Sequence, residues 1–111
     1  MSNLTFKKEI WSYGDAEAFL DGAKTRKLAH NTHVVRRSED KIAVRYHDTD
    51  IVTYRRDSER IELYANGWVT RTTSERIHRL TPSTIEVRIK NGEFLVNGEA
   101  WDRWEPLIVH P

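Results

Sequence analysis

Cysteine does not occur among the 111 residues. Its absence excludes a disulfide framework, a thiolate nucleophile and every cysteine-based zinc or iron–sulfur site. Long apolar runs are missing as well. No stretch approaches the ~20 residues that cross a bilayer, and Met1 to Ile10 is not built like a signal peptide, so a cytoplasmic protein with no membrane partner is expected. There is no Gly-rich phosphate loop, no Ser/His/Asp order, no Ser/Gly/Pro-rich linker and no internal repeat. The chain therefore reads as one domain over residues 1–111. The Asn3-Leu4-Thr5 sequon carries nothing without a secretory signal.

What is present suffices for one small core: 38% hydrophobic residues, 10% aromatic and 32% charged. Net charge is +1, from 18 basic and 17 acidic side chains. The distribution is uneven. Residues 24–79 hold 13 basic against 8 acidic groups, while both flanking segments are net acidic. Twelve of the cations are arginine, the side chain suited to bidentate contact with phosphate or carboxylate. The plainer alternative for each is an exposed ion pair of little consequence.

Three Asn-Gly pairs give the strongest local signals, because a type I′ turn needs positive φ at both central positions. Asn91-Gly92 separates a strictly alternating strand, with Ile85, Val87 and Ile89 against Glu86, Arg88 and Lys90, from Glu93 to Val96. Asn97-Gly98 turns the chain again, so residues 84–104 read as a three-stranded meander. Asn66-Gly67 is expected to join a strand over 60–65 to a short one over 68–71. Upstream, Lys41 to His47 and Ile51 to Arg56 read as strands around the polar turn His47-Asp48-Thr49-Asp50, with further breaks at Ser38-Glu39-Asp40 and Asp57-Ser58-Glu59. Such short connections favour antiparallel neighbours. Two short helices interrupt: one over 15–22, capped by Asp15 and stopped by Gly22, and one whose capping box is Thr72-Thr73-Ser74-Glu75, with Ile77 and Leu80 behind it. The fold expected is α+β, a twisted antiparallel sheet or small open barrel of seven to eight strands with two short helices.

Chemistry concentrates between Gly67 and Arg76. A helix N-terminus attracts anions through unpaired N–H groups and its dipole, and here hydroxyls of Thr72 and Thr73 join Arg71 and Arg76, with Trp68 placed to stack on a base. The alternative is a helix cap beside a core tryptophan. A second polar segment, Lys24 to His33, offers Arg26, Lys27 and Asn31 as further ligand contacts, or is a solvated loop bonding its own backbone. Histidines 30, 33, 47 and 78 invite an acid–base or metal reading. His47 and Asp50 in one turn would suit a small phosphodiesterase, but positions 30 and 33 point to opposite faces of a strand, and no metal or cofactor is expected.

Three stretches, Arg26 to Thr32, Ile42 to Tyr54 and Gly67 to His78, together resemble a group of small proteins encoded by bacteriophages and prophages. The likeness covers residues 24–80. It departs from the group at His78, where Asn is expected. It implies origin rather than activity: a phage protein in the bacterial host cytoplasm, where small accessory proteins often neutralise a host component. The function favoured is a non-enzymatic binding protein for a nucleotide or nucleic acid. An inhibitor covering a host protein, through edge strands and the aromatics Tyr64, Trp101 and Trp104, is the second class, and the phosphodiesterase the third. Four Trp and four Tyr exceed what so small a core hides, and sheet edges need cover, so a homo-oligomer is also expected.

Overall fold

Two-residue turns set the architecture. The computed structural model describes residues 5–57 and 60–111, so Ser58-Glu59 of one expected break and Asn3-Leu4 of the sequon lie outside the described residues. Four strands follow one another as hairpins: β1 (Thr25–Ala29), β2 (Thr32–Ser38), β3 (Lys41–Tyr46) and β4 (Thr49–Arg55). Asn31 and His47, in the first and third of these turns, have φ of 53° and 54°. β5 (Ile61–Leu63) pairs with β4, and the chain then leaves to form helix α2 (Arg71–Arg79) and a separate meander of β6 (Val87–Lys90), β7 (Glu93–Val96) and β8 (Glu99–Trp101). It returns as β9 (Leu107–Val109) against β5, completing a six-stranded sheet in the order β1-β2-β3-β4-β5-β9. The fold is α+β, with open, wholly antiparallel sheets as expected. The described residues form nine strands rather than seven or eight, divided between two sheets.

The Asn91-Gly92 and Asn97-Gly98 hairpins form as expected. Ile85 and Val87 are buried, Ile89 is half-buried, and Glu86, Arg88 and Lys90 are exposed. Asn66-Gly67 does turn the chain, closed by Trp68 N–H donating to the Ala65 carbonyl at 3.0 Å, but residues 68–71 are not a strand. β9 holds the edge of β5 that such a strand would need.

Both helices begin earlier than expected. α1 (Tyr13–Leu20) is capped by Ser12, whose Oγ accepts from Asp15 N at 3.2 Å, while the Asp15 carboxylate reaches back to Trp11 N at 3.0 Å. Asp15 thus sits in the first turn, where its carboxylate holds the N–H of the residue before the cap, and is not itself the cap. α2 is capped by Thr70, whose Oγ1 accepts from Thr73 N. Thr72 lies inside the first turn, and Arg71 is the first helical residue instead of the end of a strand.

Register fixes which residues share a face. Val34, Val44, Val52 and Leu63 form one row and Ile42, Tyr54 and Ile61 another, all buried in the core. Both helices cover this face. Arg26 of β1, level with Val34, lies over the Phe19 ring of α1. The Tyr54 hydroxyl donates to Ile10 O and, at the end of α2, to Leu80 O.

Candidate functional site

At the β3–β4 end of the sheet, a cavity of about 580 Å³ opens between that hairpin and the N-terminus of α2. Its apolar lining comes from buried Ile51 and Ala65, its aromatic lining from Tyr46 and Trp68, and its polar lining from His47, Asp48, Asn66 and the threonines 49, 70, 72 and 73. Trp68 is 62% exposed, so it is not a core residue. The hairpin and the helix are tied by the Tyr46 hydroxyl donating to Thr72 Oγ1 at 3.3 Å. His47 packs its ring 4.3 Å from that of Tyr46. The threonine hydroxyls form a chain: Thr70 Oγ1 lies 3.2 Å from Thr72 Oγ1 and donates to Thr73 Oγ1 at 2.9 Å.

The candidate residues divide into three groups. Trp68, Thr72 and Thr73 line the cavity, and exposed Arg71 opens the helix beside them. Arg76 does not reach the surface: it is 6% exposed and committed to the protein's own atoms. Its Nε donates to Thr32 Oγ1 at 3.0 Å, and its terminal nitrogens donate to His30 O at 3.3 Å and Thr72 O at 3.4 Å. The guanidinium lies 4.2 Å from the centroid of the Tyr46 ring. Burial pulls its pKa below the ordinary arginine value, against the attraction of Tyr46 and Glu75. The expectation of an exposed Arg76 is therefore corrected: it locks α2 to the β1–β2 turn from beneath the cavity.

Arg26 and Lys27 lie away from the cavity. Arg26 Nη1 donates to Phe19 O at 2.7 Å, satisfying a carbonyl at the end of α1, and Lys27 is exposed on the opposite sheet face. Asn31 serves the turn through its left-handed backbone, its carbonyl accepting from His47 N at 2.9 Å. The polarity of the 30–32 segment is thus explained by Arg76 and by Thr32 Oγ1 donating to His30 O at 2.8 Å.

Asp50 is paired bidentately with Arg37, at 2.9 and 2.7 Å, rather than facing His47. Among the described residues, no three His, Asp or Glu side chains cluster to hold a metal ion. No helix of the described residues is long and apolar enough to cross a membrane. His78 Nδ1 accepts from Val87 N at 3.2 Å, pinning α2 to β6; the Asn expected there in the phage group would offer an oxygen acceptor for the same N–H.

Tyr46, Asp48 and Thr70 were not expected in the site. Thr70 was legible in principle, since Thr70-x-x-Thr73 places a hydroxyl before a helical turn as well as Thr72 does. The approach of the β3–β4 turn to α2 is a tertiary contact with no local signal. No curated protein and no solved structure matches the chain. Its residues 13–107 match the family described as Kyanoviridae Gp96 protein, and the chain belongs to that family of small, bacteriophage-encoded proteins.

Proposed function

We propose that the cavity binds a nucleotide, with the base against Trp68 and the phosphate at the first turn of α2. The observation that carries this reading is that an indole left 62% exposed and the N-terminus of α2 open onto one cavity. Base–aromatic stacking and the free N–H groups of a helix start are complementary means of holding the two halves of a nucleotide. Arg71 supplies a charge-assisted contact at the same end. Asp48 and Asn66 suit the amino and hydroxyl groups of a base or sugar, because a carboxylate there would repel a phosphate. A phage protein with such a site would act in its host by sequestering a nucleotide signal.

Calorimetric titration with a panel of linear and cyclic nucleotides at two salt concentrations tests the proposal. Trp68→Ala is expected to weaken binding by about 1–3 kcal/mol. Arg71→Ala is expected to cost about 2 kcal/mol, roughly thirty-fold, with the fold intact. Absence of binding across the panel at millimolar concentration, or a Trp68→Ala variant that binds like wild type, refutes it. A second reading, cover of a host protein, draws on Trp104, which is also 62% exposed and lies against Gly67, next to Trp68. Loss of a host-protein contact in both Trp68→Ala and Trp104→Ala, without any nucleotide binding, would favour it.

A further inference from the structure

The face of the six-stranded sheet turned away from both helices is basic, and we propose that it docks on the phosphate backbone of duplex nucleic acid. Register assembles the face row by row. Lys27, His33, Arg45 and Asp50 form one row; Val35, Ala43, Thr53, Glu62 and Ile108 form the next; Lys41 and Arg55 stand level beyond them. Both helices pack on the other side, and among the described residues no helix lies on this one.

Arg37 of β2 reaches Asp50 of β4, so their ion pair spans the intervening β3 at the level of Ala43. That strap accounts for a 0% exposed alanine on a helix-free face. It also uses up one cation and neutralises one acid. Lys27, Lys41, Arg45 and Arg55 make no ion pair among the described residues, and Glu62 is the one other acid in these rows. Counting Arg37 and Asp50, the face carries five cations against two carboxylates. The rest of the chain then has 13 basic and 15 acidic residues, so a protein of net charge +1 has a face of +3 backed by a remainder of −2. The Arg55 Nε is buried and has no hydrogen-bond partner among the described residues.

The chemistry of the face selects the occupant. A protein partner needs a buried aromatic or large aliphatic anchor at the centre of its contact. Here the centre is Val35, Ala43 and Thr53; of the exposed large apolar side chains, Trp11, Trp68 and Trp104 are not in these rows, and Ile108 stands at their far end on the edge strand β9, away from the centre. Binding to a phosphate backbone needs cations and no anchor. With no Trp, Tyr or Phe in these rows on which an unstacked base could rest, the face suits a duplex better than a single strand. The four unpaired cations spread over β1 to β4, an area of about 14 by 13 Å.

Fluorescence anisotropy with a labelled random-sequence 20-base-pair DNA is the experiment. Four phosphate contacts predict a salt slope of about −3.6, so affinity should fall about 150-fold between 50 and 200 mM salt. Lys27→Glu with Arg45→Glu is expected to weaken binding at least tenfold at 50 mM salt and to flatten the slope. Arg88→Glu, on the second sheet, and Trp68→Ala should change little. The melting temperature of each variant confirms that the fold is intact. The proposal is overturned if the duplex does not bind at 50 mM salt, or if the double reversal binds like wild type while folded. Stronger binding to a single strand that disappears with Trp68→Ala would place nucleic acid at the cavity instead. Equal competition by polyglutamate would assign the face to an acidic protein. Nucleotide binding at the cavity is read separately, so either proposal can fail alone.

Discussion

Arg76→Ala should destabilise the protein strongly, because the arginine is a buried connector rather than an exposed ligand. Its best hydrogen bond, Nε to Thr32 Oγ1 at 3.0 Å, joins α2 to a threonine that is 0% exposed. A charged hydrogen bond of this kind contributes about 1.5–3 kcal/mol, and its loss strands a buried acceptor. The two longer bonds, at 3.3 and 3.4 Å, add less. Stacking on Tyr46 adds about 1 kcal/mol in a partly desolvated setting. Against these, the variant recovers the cost of burying the charge, the same cost that lowers the Arg76 pKa. A net loss of about 3 kcal/mol results, equivalent to a fall of about 12 °C in melting temperature for a domain of this size.

Urea unfolding followed by circular dichroism measures this directly, through a lower midpoint at unchanged slope. A double-mutant cycle with Thr32→Val should give a coupling of about 1.5 kcal/mol, and Arg76→Lys, lacking the planar fork, should recover less than half of the loss. A melting temperature within about 2 °C of wild type, or a coupling below about 0.5 kcal/mol, would refute the connector role.

Three further outcomes follow from the same geometry. Thr70→Ala should cost about 1 kcal/mol as the loss of a helix cap, whereas Thr72→Ala should cost under about 0.5 kcal/mol; chemical denaturation of the pair decides which residue caps α2. Gly67→Ala should cost about 2 kcal/mol and shift tryptophan emission, since φ is +83° there and a Cβ would collide with the Trp104 ring. Burial raises the Tyr54 pKa well above 10.0, so its neutral form stabilises the fold below pH 10 and that contribution is lost as pH rises further. Absorbance at 295 nm should therefore show one of the four tyrosines ionising only as the protein unfolds, and Tyr54→Phe should remove that step.

Turn chemistry and alternation were legible because they are local. Asn91-Gly92 and Asn97-Gly98 announce their own backbone, and Ile85, Val87 and Ile89 their own face. Helix starts were legible only to within two or three residues, because Ser12 and Asp15, or Thr70 and Thr72, each offer a side-chain oxygen before a helical turn. The burial of Arg76 had a signal that its charge concealed. Thr73, Arg76, Ile77 and Leu80 are spaced three, one and three apart, which is one stripe of a helix, and all four are buried. β9 had little signal at all: three residues after Pro106 become a strand because β5 has an edge to fill.

The β-bulge between β3 and β4 shows how a single irregularity separates the two surfaces. Val44 opposes Val52, but the next residue of β3, Arg45, opposes Asp50, so Ile51 is the extra residue. Strict alternation from Val52 would turn Ile51 to the helix-free face, Asp50 toward the core and Thr49 away from it. The bulge reverses all three. Ile51 stays 1% exposed and lines the cavity, Thr49 turns inward beside it, and Asp50 joins Arg45 on the helix-free face, where Arg37 takes it up. Re-aiming side chains in this way is what a bulge does near a site. One inserted residue thus keeps a second carboxylate out of a cavity that already contains Asp48, and places it where a surplus of cations can neutralise it. Tyr46 and Arg45, neighbours in sequence, accordingly face the two different surfaces.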